Sequence, residues 1–145
     1  MENKNISEEQ LRKQIYQVSE ELNQLNTQFQ YISQQLNLIN SIHQDMNSTL
    51  NSLKELGKRK AGEKILIPMS SRIFLPVKIT EETISDIFIN LGSNIVKKGD
   101  VNAGIEHLEQ KLTQTKKALE SLQTEYSNLE REITARENYL SQYYR

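Results

Sequence analysis

The chain has 145 residues, 36% of them hydrophobic, and its 18 basic and 19 acidic side chains nearly cancel. That apolar share is below the roughly 45–50% of an ordinary globular domain, glycine included, which leaves little material for a large private core, and the balanced charge provides no field to gather nucleic acid or an anionic membrane. The absence of cysteine removes disulfides, thiolate metal sites and a cysteine nucleophile, and the opening MENKNISEEQ lacks a signal peptide's apolar run, so a soluble, cytoplasmic protein is expected.

The first element is a long helix, expected over 7–56. From Leu11 apolar residues recur in alternating steps of four and three: Leu11, Ile15, Val18, Leu22, Leu25, Phe29, Ile32, Leu36, Ile39, His43, Met46, Leu50, Leu53. A spacing that averages ~3.5 over this distance is the heptad seam of a coiled coil, with His43 its one polar member. Ser7 and Gln10 form a capping-box pair at its start, Ile6 and Leu11 can staple around it, and Gly57 is expected to stop it.

GKRKAGEK, residues 57–64, resembles a phosphate-binding loop only superficially. Glu63 stands where the lysine belongs, no Ser or Thr follows Lys64, and the helix precedes the loop instead of following it. A basic loop closing the helix is the simpler reading. Four short strands are then expected within 64–98: Lys64–Pro68, Arg72–Ile79, Asp86–Leu91 and Asn94–Lys98. MSSR joins the first pair, a Gly92-Ser93 type II′ turn the second, and TEETIS reads as a polar linker between them. Pro68 and Pro76 belong at strand ends or edges, because neither can donate to a ladder.

A second long helix is expected over 100–144, capped by Asp100 or Asn102. Its seam runs Val101, Ile105, Leu108, Leu112, Thr115, Leu119, Leu122, Tyr126, Leu129, Ile133, Arg136, Leu140, Tyr143. Outside the stripes both helices are largely polar, so each offers one narrow apolar face, and the two satisfy each other by folding back antiparallel. A register pairing Leu53 with Ile105, Leu36 with Leu122, Leu25 with Ile133 and Ile15 with Tyr143 puts the two interior polar interruptions, His43 and Thr115, in one layer, where His43 would fix register.

The strands contain consecutive apolar residues: Ile65 to Ile67, Ile73 to Leu75, and Ile87 to Ile89. Such runs imply burial on both faces, and one chain this small cannot cover them, so the cover must come from other chains. Ile65, Ile67, Ile73, Leu75, Ile87, Ile89 and Ile95 are the expected oligomerisation residues. The fold class is therefore α+β, a long antiparallel two-helix coiled coil with two central β-hairpins that serve assembly. No catalytic constellation emerges. Glu8, Glu9, Glu20, Glu21, Glu130 and Glu132 lie on expected solvent faces, and His43 has only His107 as a histidine companion, too far along the helices to share a metal. No enzyme activity, cofactor or metal is expected.

At this point the sequence resembles the prefoldins, specifically their alpha-type subunits. The resemblance spans essentially the whole chain, 1–145, as a single domain, and is carried by KILIPMSSRIFLPVKI, the DIFINLGSNIVKK hairpin and the flanking helices; having two hairpins is the alpha-type feature. The Gln/Asn-rich exterior of the first helix departs from the Glu and Lys that many members carry. What the resemblance implies is a hexamer of two alpha and four beta-type subunits whose hairpins join in an intersubunit β-barrel. It also implies coiled coils whose ends hold non-native polypeptides and pass them to a group II chaperonin without ATP, with no nucleic acid and no membrane as partners. Ile6, Leu11, Ile15, Tyr16, Tyr139, Leu140, Tyr143 and Tyr144 then form the expected substrate-binding end, an amphipathic aromatic surface tolerant of many partners. The alternative is a structural or adaptor coiled coil on a homomeric strand hub, docking defined partners or building a filament. A chaperone suppresses aggregation of unrelated clients; an adaptor does not.

Overall fold

A computed structural model of the protein describes residues 6–144. Its elements run α1 (Glu8–Gly57), β1 (Lys64–Pro68), β2 (Phe74–Lys78), α2 (Glu81–Ser85), β3 (Ile87–Gly92), β4 (Ile95–Gly99) and α3 (Val101–Ser141). Two compact units share these elements: one holds the chain up to Asn40 together with the chain from Lys117, the other Ser41–Lys116.

The first unit is a helix pair. Glu21 meets Arg136 at 3.5 Å, and the rings of Phe29 and Tyr126 lie 4.6 Å apart, so residue numbers fall along α3 as they rise along α1 and the helices are antiparallel. Every seam position of α1 within this unit is at least partly buried, with Ile32 fully so, and Leu129 is the buried member from α3. The helix begins as its capping box predicts: Ser7 Oγ accepts from Gln10 N at 3.2 Å, and Gln10 Oε1 accepts from Ser7 N at 3.1 Å. The other end differs from expectation. α3 stops at Ser141, and Tyr143 N returns to Leu140 O in a closing turn, so Tyr143 and Tyr144 lie past the helix and Tyr143 is 41% exposed.

In the second unit the hairpins meet the helices around Gly104. A Cβ added there would lie 2.5 Å from Ile87 Cδ1 and 3.2 Å from Leu53 Cδ1, so β3 and both helices approach one another only because this residue has no side chain. Val101 and Leu50 are buried nearby, and Asp100 caps α3 by accepting from Ala103 N at 2.8 Å. Gly57 does not end α1 in a left-handed conformation. It is the last helical residue, its position facing Val101, and the chain leaves through i→i+3 bonds from Lys58 N to Glu55 O and Arg59 N to Leu56 O. The left-handed glycine is Gly62, at φ +94°, inside a turn closed by Glu63 N to Lys60 O; Glu63 also pairs with Arg59, so this basic loop is tied to itself.

The hairpins are two separate two-stranded antiparallel sheets, β1 with β2 and β3 with β4. Lys64 pairs with Lys78 and Pro68 with Phe74, which puts Pro76 opposite Leu66 in a ladder where both strands are edges. β2 is shorter than expected: Ile79 lies beyond it as the most buried side chain, its N–H donating to Glu63 O and its carbonyl accepting from Gly62 N. The second turn also differs. Gly92 pairs with Ile95, and the two residues between them, Ser93 and Asn94, have φ of 51° and 60°, the signature of a type I′ turn and not a Gly92-Ser93 type II′ turn. Leu91 is the extra residue of a bulge, and Gly92, at φ +92°, donates to Asn90 Oδ1. The expected TEETIS linker is instead a helical turn, α2, with a full capping box between Thr80 and Thr83.

Among the described residues His43 and Thr115 form no hydrogen bond with each other. Thr115 Oγ1 donates to Lys111 O of its own helix at 2.7 Å, and His43 Nδ1 is buried without a partner. Leucine at His43 should therefore raise stability by about 1 kcal/mol, since it replaces an unpaired buried ring nitrogen with seam packing; a lower denaturation midpoint would contradict this. Valine at Gly104 should cost about 1–3 kcal/mol by overpacking against Ile87 and Leu53. Alanine at Gly57, whose Cβ would meet Val101 Cγ1 at an ordinary 3.4 Å, should be neutral or better by the same measurement.

Candidate assembly and binding surfaces

The second hairpin turns Ile87 and Ile89 of β3 toward its own chain, whereas in β1 and β2 only Ile65 and Val77 are partly buried. Ile65, Ile87 and Ile89 of the expected oligomerisation set are partly buried, Ile87 and Ile89 lying beside Gly104 and Gly99. Ile67, Ile73, Leu75 and Ile95 are exposed, between 42% and 63%. Their neighbours in the same runs are exposed as well: Leu66 at 66%, Phe74 at 55%, Phe88 at 72% and Val96 at 56%. In β3 the strand period separates inward Ile87 and Ile89 from outward Phe88, whereas in β2 and β4 consecutive apolar residues, Phe74 with Leu75 and Ile95 with Val96, are both exposed.

An isolated exposed leucine needs no explanation, but contiguous apolar residues on small two-stranded sheets form the kind of patch that marks an interaction surface. Lysines border these faces: Lys64 and Lys78 lie opposite each other on the side of Leu66 and Phe74, and Lys98, opposite Phe88, pairs with Asp86 at 3.2 Å. The ladder has open edges on both hairpins, so backbone donors and acceptors stand ready beside the apolar side chains. The arrangement can add strands or bury sheet faces from another chain; it holds no convergent set of catalytic groups.

The second candidate surface lies in the first unit, where Ile6 to Tyr16 meets the end of α3. Tyr139 and Tyr143 stack at 5.3 Å with a 57° tilt, and Tyr139 Oη makes a long 3.5 Å contact to Gln14 Oε1. Tyr139 is held above the ordinary phenol range, first by its hydrogen bond with Tyr143 and then by desolvation. Leu11, Ile15, Tyr139 and Leu140 are partly buried and finish the seam. Ile6, Tyr16 and Tyr144 are exposed, Tyr16 and Tyr144 at 69% and 70%, and Tyr143 and Tyr144 flank a notch with Arg12, Ile15 and Ser19. The eight expected residues thus divide into a packed floor and an exposed rim of three tyrosines and Ile6. No helix among the described residues is long and apolar enough to cross a membrane.

Comparison with known proteins agrees with this architecture. No curated protein sequence matches. A solved structure, filamentous PFD from Methanocaldococcus jannaschii determined by cryo-EM, has a similar fold: the TM-score is 0.64 at 15% sequence identity, over 81% of this chain and 95% of that one. The family model described as Prefoldin subunit matches residues 25–145, which takes in most of α1, both hairpins and α3. The chain belongs to the prefoldin family, and is a chaperone-type subunit of an oligomer-forming fold.

Proposed function

We propose that the chain is an alpha-type prefoldin subunit, acting over 1–145 as a single domain. In this reading it is an ATP-independent holdase that assembles with beta-type subunits as a two-alpha, four-beta hexamer. It binds non-native polypeptides with the ends of its coiled coil and passes them to a group II chaperonin in the cytoplasm. The observation that carries this is the pair of hairpins in one chain, each with an uncovered apolar face that includes Leu66 or Phe88. Two such faces supply two sets of contacts to neighbouring subunits, where a chain with one hairpin supplies one. The tyrosine rim supports client capture, since phenol rings provide apolar area and a hydrogen-bonding edge without selecting one partner.

A second reading is favoured by one observation: the structural neighbour from Methanocaldococcus jannaschii is filamentous. The same hairpin faces could then join copies of this chain alone. Co-expression with a candidate beta-type subunit, followed by mass measurement of the complex, separates the two. A discrete hetero-hexamer is expected, and a polydisperse homopolymer that ignores the beta-type chain would favour the filament.

Aspartate at both Leu66 and Phe88 should dissociate the oligomer while circular dichroism still reports the helices, because each change places a charge where an apolar contact is required. Full-size complexes from this variant would remove the hairpin faces from the interface. Deleting Asn138–Arg145 takes away Tyr139, Leu140, Tyr143 and Tyr144 but no residue of the Ser41–Lys116 unit. The assembly should persist and lose much of its ability to suppress aggregation of several unrelated denatured proteins, when the beta-type tips are trimmed in the same preparation. Undiminished protection would place capture elsewhere on the helices.

A further inference from the structure

From Leu22 to Gln44 α1 contains no Asp, Glu, Lys or Arg, although the chain as a whole is 26% charged. In the first unit this neutral stretch borders an open cleft of about 590 Å³. Ser33, Asn37 and Asn40 form one wall, and Gln123 with Glu120 the other, above a floor of Leu36, Leu119 and Tyr126. The tyrosine is held in place by its stack on Phe29. Spacings of four and three residues keep Ser33, Asn37 and Asn40 on one helix face. Among the described residues these three side chains and Gln123 form no hydrogen bond within the protein, whereas Ser19, Thr27, Thr115 and Ser127 bond back to their own helices.

We propose that this cleft holds an extended segment of non-native polypeptide by its backbone. The proposal rests on the holdase reading and adds to it a second contact with a different chemistry. A carboxamide presents a donor and an acceptor side by side, the same pair that a peptide group presents, so a wall of Asn and Gln matches a neutral backbone whatever side chains it carries. The dimensions agree: Ser33 and Asn37 are separated by about 6 Å along the helix, and an extended chain repeats its same-side groups every ~6.6 Å. A helical partner has already paired its backbone and would bury these amides without partners. An anionic ligand would meet Glu120 with no cation in the lining to offset it. Client side chains that alternate toward the floor find Leu36, Leu119 and Tyr126, which accept apolar groups without demanding a particular shape.

The test uses the full-length chain in its assembled form and a fluorescein-labelled, uncharged nonapeptide in three versions: parent, shuffled and backbone N-methylated. Binding is read by anisotropy, and location by a benzophenone on the peptide followed by mass mapping. The parent and shuffled peptides should bind within about twofold of each other, and N-methylation should weaken binding about tenfold, as expected for losing two or three hydrogen bonds. The double variant Asn37→Ala/Asn40→Ala, which improves helix propensity and so keeps the fold, should bind the parent peptide about tenfold more weakly and lose its sensitivity to N-methylation. Cross-links should map to 33–40 and 119–126. Unchanged binding by the variant, no effect of N-methylation, absence of peptide binding, or cross-links elsewhere would each overturn the proposal. If the wild-type assembly suppresses aggregation in any of those cases, the holdase reading stands without this cleft; if it does not, both fall.

Discussion

Everything in this protein follows from how narrow the apolar stripe of each long helix is. An a/d seam buries one strip of side chains and no more. α1 and α3 spend that strip on each other: Phe29 on Tyr126 in the first unit, Gly57 against Val101 in the second. Among the described residues the buried apolar side chains are Ile32, Leu50, Ile79, Val101 and Leu129, with Ile79 alone fully buried. Such a chain cannot draw the stability of an ordinary domain from its own core, and its helices have no spare apolar face with which to cover the hairpins. Leu66, Phe74, Phe88 and Val96 stay in water for that reason. Each is worth about 1.5–3 kcal/mol if fully buried, so the folded subunit carries a strong drive toward association in a few strand residues.

The split between inward and outward hairpin residues also explains how folding and assembly can be separate events. Ile87 locks β3 to its own chain at Gly104, whereas Phe88, its neighbour in sequence, points the other way. The subunit can therefore form before it finds partners, with the aggregation risk of exposed edges limited by short strands and by lysines at Lys64, Lys78, Lys97 and Lys98.

Heptad spacing made the helices and their antiparallel pairing legible from sequence, and every expected seam position up to Leu140 loses exposure. Asp100 and the Ser7–Gln10 box were legible because a cap is a local chemical event within four residues. What escaped depended on choices that local composition leaves open. A glycine next to a serine suggested one hairpin turn, but the bulge at Leu91 shifted the register and put positive φ on Ser93 and Asn94. TEETIS has the charge of a linker, yet Thr80 and Thr83 cap one another and nucleate a turn of helix. The end of α3 was overextended because Tyr143 keeps the heptad phase after the backbone has left the helix. Of the binding surfaces, the aromatic rim was visible as a cluster of tyrosines, whereas the outward hairpin residues required knowing which strand face the helices occupy.

The uncharged stretch of α1 from Leu22 to Gln44 calls for a reason other than helix stability. Asn and Ser are poorer helix formers than Glu, Lys or Ala, so each such residue costs the helix a few tenths of a kcal/mol. Ion pairing does not account for it either. Interhelix salt bridges occur at Glu21–Arg136 and Lys54–Glu109, which leaves the intervening neutral stretch of α1 without one, and exposed pairs of this kind are worth only about 0–1 kcal/mol. Solubility would be served better by charge than by amides. A surface that gives up propensity, ion pairs and charge together while retaining unpaired hydrogen-bonding groups is suited to a ligand that is itself uncharged and rich in donors and acceptors. The one ligand with that character common to all unfolded proteins is the peptide backbone.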